Sequence, residues 1–519
     1  MPNHTSTDYL KTYDAALVAL KTSPDDASLK YDAVLSLARA GSLEFALAEH
    51  KRYKLGNIKS DEDIMSLSGR LYKDLCLKHT GKEALHWARE STLSYEAAFR
   101  ATHGYYSGIN SATMAFLAEM PKDIIKARAE NILKMLPQSD NLPIADLYFL
   151  NATRAEAWLL LDNILQTQSC LQAAINHDPL NYTAHATTLK QFRMILNKRG
   201  GDQNWLNKFM PPKTVYYAGH IFESDTDRNK ESMHTQSLST VDIDALKLKI
   251  SHVIQREDIG FGYGALAAGS DILIAEALLA EGAELNVILP TQIEAYLNTS
   301  VRSFGDIWIK KFHMCLNQAA SVKIYNAPEN WMQAIVNKQV GQFTMGQAIM
   351  RSQTLMSKAA QIILWDGGVD TTFTAEHVKD WAQTQRDQYI IDYPKPRPNR
   401  NKSLKSGTPS ILTTSLMRSD QKARVTYPSI SEAAKEAMLL IEKHSDIKIA
   451  LHSGFHEGPE RDDLMQRLLH KGLPQGVILS EEAACLIALE ASDLFRAGYV
   501  GQVKDAGNLR AFALKRHTQ

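Results

Sequence analysis

The run Gly262-Tyr-Gly-Ala-Leu-Ala-Ala-Gly269-Ser-Asp271-Ile-Leu-Ile-Ala-Glu276-Ala-Leu-Leu-Ala-Glu-Gly-Ala-Glu-Leu-Asn-Val-Ile-Leu-Pro290 reads as a glycine loop, an amphipathic helix and an apolar strand in succession. That order reads as one nucleotide-binding crossover. Gly262, Gly264 and Gly269 lack Cβ atoms, so backbone amides can approach a ligand closely. A helix starting near Ser270 points its positive dipole end at a phosphate held there. Asp271 and Glu276 at that mouth are within reach of a ribose, although glycines before a helix also serve ordinary turns and Glu276 also reads as a solvated helix face.

Outward from this run, strand and helix alternate from about residue 213 to 393. Apolar runs fall at Val215–Ala218, Gly260–Tyr263, Leu285–Leu289, Val322–Tyr325, Gln361–Trp365 and Tyr389–Asp392, with helix-length periodic segments between most of them. This pattern predicts a parallel sheet covered on both faces. Ligands of such sheets sit beyond the carboxyl ends of the strands. The expected pocket residues are therefore Gly219 and His220, Gly264 to Asp271, Pro290 and Thr291, and Asp366 with Gly367 and Gly368.

At Ala218-Gly219-His220 with Arg228, Gly264–Asp271, Asn298–Val301 and Leu364–Gly367 this region resembles the SLOG superfamily. Those Rossmann-like proteins sense or process nucleotides and include the DNA-processing protein A and the cytokinin-activating phosphoribohydrolases. The resemblance implies a ligand-binding set of Gly219, His220, Arg228, Gly264, Gly269, Ser270, Asp271, Glu276 and Asp366, with a nucleotide or nucleotide-derived ligand and no certain cofactor. The phosphoribohydrolases carry a paired-glycine loop with Gly-Thr and a following catalytic glutamate. Here Ala-Ala-Gly-Ser-Asp stands in that place, so binding carries over better than hydrolysis.

The first 210 residues read as helical throughout. Ala33 to Tyr53, with Gly41 and Ala46, matches the helix pair of a tetratricopeptide repeat; Trp158, Leu171, Ala174 and Pro179 fit a second copy in which Asp162 takes the place of the turn glycine. Between them, Gly69–Asp74, Tyr95–Phe99 and Tyr105–Asn110 resemble the helical-repeat, TRAF-binding region of the apoptosis-signal-regulating kinases and their bacterial relatives. Stacked repeats present a groove for a partner protein. Tyr72, Tyr95, Phe99, Tyr105 and Tyr106 are either groove aromatics or, more commonly at such spacing, core.

The last part carries Ile447–Gly454, Leu473–Ser480 and Phe495–Leu514. It resembles the carboxyl-terminal half of a class III nucleotide cyclase domain. The resemblance puts Arg467 at the phosphate-stabilising arginine and Asp463 where an asparagine is expected. Ser410–Ser415, the candidate first metal strand, has no carboxylate, and Asp420 stands for the second ligand. A two-metal site is not assembled, which argues against cyclase activity and for a degenerate α+β remnant, with a homodimer surface implied by the same resemblance. His452 and His456 lack a third ligand for a metal.

The expected architecture is thus multidomain α and α/β: residues 1–210 a TPR-like solenoid, 211–393 a Rossmann-like nucleotide-binding domain, 394–407 a basic proline-rich linker, and 408–519 a truncated cyclase-like domain. Lys plus Arg and Asp plus Glu balance at 58 each in 519 residues, so no overall field draws nucleic acid or an anionic membrane. No apolar run is long enough to span a bilayer and no leader is legible, which places the protein in the cytoplasm. Cys76, Cys170, Cys315 and Cys485 lack disulfide or zinc spacing and read as small hydrophobes. The functional expectation is a signalling protein that senses a nucleotide-like ligand and docks a partner. The alternative is an N-glycosidase acting on a nucleotide or NAD-like substrate through Glu276, Asp271 and His220.

Overall fold

The structure is a computed structural model and describes residues 8–59, 61–137, 143–224, 237–238, 240–327, 333–367, 373–392, 414–420, 424–444, 447–456, 458–472, 476–503 and 509–517. The expected linker, most of the Ser410–Ser415 strand and Arg228 lie outside them.

Among the described residues ten α-helices come first: α1 (Tyr9–Ala19), α2 (Ala27–Arg39), α3 (Leu43–Arg52), α4 (Glu62–Lys78), α5 (Gly81–Thr102), α6 (Tyr105–Leu117), α7 (Lys122–Met135), α8 (Ile144–Leu160), α9 (Ile164–His177) and α10 (Tyr182–Arg199). Several starts are fixed by short polar side chains that accept from first-turn amides, as Asp26 does from Ser28 and Leu29 at 2.9 and 3.1 Å. Gly41, at φ +96°, makes the turn between α2 and α3. Asp162 takes φ +61° at the equivalent turn between α8 and α9, so the aspartate does adopt the left-handed conformation of the glycine it stands for.

The glycines of the intervening motifs are helix-crossing contacts. A Cβ on Gly69 of α4 would lie 2.8 Å from the Tyr95 ring of α5, and one on Gly108 of α6 would lie 2.3 Å from Ile132 of α7. Tyr95 is 1% exposed and is core rather than groove lining, whereas Tyr106 is partly exposed. Helices α2, α4, α6, α8 and α10 follow one another side by side, which makes them the tighter, inner wall. A polar network runs along it: Lys73 Nζ donates to Asn110 Oδ1 at 3.1 Å and Gln191 Oε1 at 2.7 Å, and Gln191 Nε2 donates to Glu156 Oε1 at 2.7 Å. Burial lowers the Lys73 ammonium to about 8.

The parallel sheet follows in the order β6-β5-β4-β1-β7-β8, from β1 (Lys213–Gly219), β4 (Ile259–Gly264), β5 (Glu284–Leu289), β6 (Ser321–Ile324), β7 (Ala359–Trp365) and β8 (Asp387–Asp392). Short β2 (Glu223–Ser224) and β3 (Ser237–Leu238) pair with each other beside it. Its helices are α11 (Thr240–Arg256), α12 (Ser270–Ala280), α13 (Ile293–Ser300), α14 (Asp306–Gln318), α15 (Gln333–Leu355) and α16 (Phe373–Gln383). The six apolar runs of the sequence are its six strands. Side chains alternate across it: Val215 and Tyr217 enter a core with Ile272, Trp308 and Phe312, while Tyr216 and Ala218 face α15 and α16.

A second, mixed sheet has the order β10-β9-β11-β12-β14-β13. Its strands are β9 (Thr414–Arg418), β10 (Arg424–Tyr427), β11 (Ile449–His452), β12 (Val477–Ser480), β13 (Phe495–Val503) and β14 (Leu509–Arg516), with helices α17 (Ile430–Lys443), α18 (Gly458–Lys471) and α19 (Glu481–Glu490). β11 and β12 are parallel, and the other described pairs are antiparallel. The two sheets share one apolar core, in which Tyr216, Phe343 and Trp381 lie with Leu416, Ile449, Cys485 and Phe512. Buried Glu481 accepts from Lys323 of β6, Gln347 of α15 at 3.1 Å and Arg510 of β14 at 2.8 Å. Helix α1 packs on β13 and α10 on α15, so both ends of the solenoid close on the sheets. Cys76, Cys315 and Cys485 are buried and Cys170 is half-buried, all of them free thiols. No helix among the described residues is long and apolar enough to cross a membrane.

Candidate functional site

After β1 the chain moves through β4, β5 and β6 on one side and then crosses to β7 and β8 on the other. The switch point is therefore between β1 and β7, where parallel sheets open a crevice at their carboxyl ends. β1 ends at Gly219 and β7 at Trp365, in register at Gly219 and Leu364, and the next residues are His220 and Asp366. His220 Nε2 lies 3.2 Å from Asp366 Oδ1, with the imidazole side chain 12% and the carboxylate 22% exposed. Burial holds the imidazole below its usual pKa against the opposing pull of Asp366. The pair, 146 residues apart in the chain, combines a neutral ring with a fixed acceptor at a partly open mouth.

The loop from β4 to α12 is pinned beside it. Ala267 N–H donates to Asp271 Oδ2 at 3.2 Å, Ala268 N–H to Ser300 O at 3.0 Å, and Ser270 N–H to His220 O at 3.2 Å. The Leu266 backbone is hydrogen-bonded to the Tyr296 hydroxyl. The amides expected to cradle a phosphate are thus largely engaged by the protein itself. Gly269, at φ +94°, forms a bridge with Ile221, and a Cβ there would stand 2.7 Å from Phe222.

Two further expectations change at this point. Gly262 and Gly264 lie within β4, and the space their Cβ atoms would take is filled by Leu278 and the Tyr217 ring, each 2.4 Å from the ideal Cβ. Their missing side chains serve packing rather than ligand approach. Gly219 likewise admits Ser270, whose Cβ is 2.4 Å from where a Cβ on Gly219 would stand; the Ser270 hydroxyl is fully buried with no hydrogen-bond partner among the described residues. Asp271 is 8% exposed. Burial raises it to about 7 against the backbone hydrogen bonds of Ala267 and Gly219, so it braces β1 against α12. Glu276 forms an ion pair with Lys311 of α14, so its carboxylate is engaged by a neighbouring helix. The structure therefore brings together Gly219, His220, Gly269, Ser270, Asp271 and Asp366, while it pairs Glu276 with Lys311 and encloses Gly264 within β4.

In the second sheet, Asp463 and Arg467 pair with each other along an exposed face of α18, at 2.7 Å. Asp420 is held by Arg418, whose Nε lies 2.8 Å from Oδ1, and this contact lowers the Asp420 pKa. The His452 and His456 rings are 5.3 Å apart. No group of three His, Cys, Asp or Glu side chains among the described residues is arranged to hold a metal ion.

The sequence pattern of the family described as Tetratricopeptide Repeats-Sensor matches residues 10–115, the span from α1 to α6. Comparison with curated proteins finds no match. The amino-terminal helices are thus TPR-like by both sequence pattern and packing, and repeats of this kind build protein-interaction surfaces.

Proposed function

We infer that the protein is a regulatory sensor: a small nucleotide-like ligand enters the crevice between β1 and β7, and the bound state is passed to a protein partner held by the helical repeats. The observation that carries this reading is the His220–Asp366 pair at the switch point, formed by residues distant in the chain and left partly open. The imidazole and carboxylate suit ribose or base hydrogen bonds. With most of the loop amides engaged, a phosphate finds fewer donors there than the glycine pattern alone implies.

Binding is favoured over N-glycoside cleavage. Glu276 is neutralised by Lys311 and Asp271 is enclosed, so neither carboxylate is presented to a developing oxocarbenium charge. A partner would meet a groove whose first repeats face this chain's own β14, since Lys515 Nζ donates to the Arg39 carbonyl at 3.3 Å.

The test is a thermal-shift panel of AMP, cyclic nucleotides, NAD and ADP-ribose, with chromatography of each mixture. A ligand at about a hundred times its Kd adds roughly 2.7 kcal/mol. A shift that is lost in His220→Ala and Asp366→Asn, with the ligand recovered intact, supports the sensor. A cleaved ligand moves the chain to the hydrolases, and no shift with any compound rejects the crevice as a nucleotide site.

A further inference from the structure

A second cavity, of about 290 Å³, lies between the sheets, where α15 and the loop after β6 face β9 and helices α17 and α19. It shares no residue with the crevice. One wall is aromatic: Tyr325 and Phe343 meet edge to face with ring centroids 4.9 Å apart, and Leu486 lies on the α19 side. Two acceptors are left over. The Gln339 side chain, 6% exposed, is hydrogen-bonded to the Tyr325 hydroxyl, yet its Oε1 has no partner among the described residues. Glu482 Oε2 also has none. The nearest basic nitrogen on that side, His452 Nδ1, is 4.0 Å away, belongs to a ring that burial keeps neutral and is hydrogen-bonded to Ser480 Oγ at 2.9 Å. Lys338 on the same wall is drawn to Asp380 and Glu490.

Buried acceptors without donors are costly, and native proteins leave few of them. A ligand that relieves both brings N–H donors on a flat apolar body, because the wall beside them is aromatic. The volume sits at the foot of the roughly 300–1,000 Å³ typical of ligand pockets, which suits one base or nucleoside and excludes a dinucleotide. We propose that this cavity binds a planar heteroaromatic base bearing an exocyclic amine, with N–H groups donated to Gln339 Oε1 and Glu482 Oε2 and the ring against Tyr325 and Phe343. The lining comes from both sheets, so an occupant bridges them and biases their relative arrangement.

Isothermal titration of the full chain with three nucleoside pairs tests this: adenosine and inosine, guanosine and xanthosine, cytidine and uridine. Each pair differs by the exchange of an exocyclic amine for a carbonyl. At least one amino nucleoside should bind saturably, and its partner at least tenfold more weakly. Leu486→Trp, which fills the cavity, should abolish binding, and Gln339→Leu should weaken it about tenfold, with melting curves reporting that each variant folds. His220→Ala should leave this binding unchanged, so failure here and failure at the crevice are separate results. Equal affinity within every pair, no binding at millimolar concentration, or binding that survives Leu486→Trp overturns the proposal. So does loss of binding in His220→Ala alone.

Discussion

Asp271 shows how one carboxyl can be structural while standing beside the candidate crevice. Burial raises it from 3.8 to about 7, so between those values the folded chain holds a proton that the unfolded chain has released. Stability therefore falls as pH rises through that window, by roughly 4 kcal/mol for a shift of this size. Asp271→Asn should keep the neutral shape, raise the melting temperature at pH 8 and change it little at pH 4. Unchanged pH dependence would mean that the carboxyl is hydrated. Gly269→Val should fail as a simple pocket block, because the left-handed φ and the Phe222 contact oppose any Cβ; the expected readout is loss of cooperative unfolding, measured by circular dichroism. Glycine in a strand or loop signals a close approach in the sequence but does not say by what. At Gly262 and Gly264 the visitor is Leu278 or Tyr217. That His220 and Asp366 each follow an apolar strand was legible; that they touch was not, because the sheet order brings them together. The fate of Glu276 depended on Lys311, 35 residues away, which no local pattern reveals.

Among the elements, α15 has the widest reach: it touches β1, β4, β5 and β7 of the first sheet as well as α10, α16 and α19. At Gly346, α15 and α19 approach closely, since a Cβ there would be 2.5 Å from both Cys485 Cβ and the Cys485 carbonyl oxygen. Two effects oppose each other in Gly346→Ala. Helix propensity favours alanine by about 1 kcal/mol, whereas forcing a methyl group against fixed backbone costs about 1–3 kcal/mol. The expected result is a net loss of stability in urea unfolding; a gain would show that the helices can part freely. The inner strands β1, β4, β5 and β7 of the parallel sheet were legible as continuous apolar runs because both faces are buried, whereas the edge strands β6 and β8 are partly exposed. In the second sheet, the runs around Ile449, Val477 and Phe495 became β11, β12 and the β13–β14 hairpin. The inner network of Lys73, Gln191 and Glu156 was not legible, because polar residues on repeat helices look solvated until the helices are stacked.

At the scale of the molecule, the solenoid is a closed arc rather than a free arm. Leu10 of α1, 4% exposed, joins Val500, Val503 and Ala513 of the second sheet, while Tyr182 of α10 meets Phe261 of the first at 5.5 Å. Leu10→Asp should release the first helix. Hydrogen exchange should then rise across α1 and β13 and stay low in α12. Equal protection in both proteins would show that the helix is held by other contacts. The mixed α and α/β composition was legible in the sequence, but the common core was not, because the chain between the sheets reads as a basic proline-rich stretch that suggests independence. That core also bears on how the chain is made. The end of α15 at Leu355 and the start of α19 at Glu481 are 126 positions apart. At about 5–20 residues per second, a ribosome needs roughly 6–25 s to supply the helix that covers the far face of α15. During that interval a greasy surface waits for a mate not yet synthesised, and it stands open to a nascent-chain chaperone.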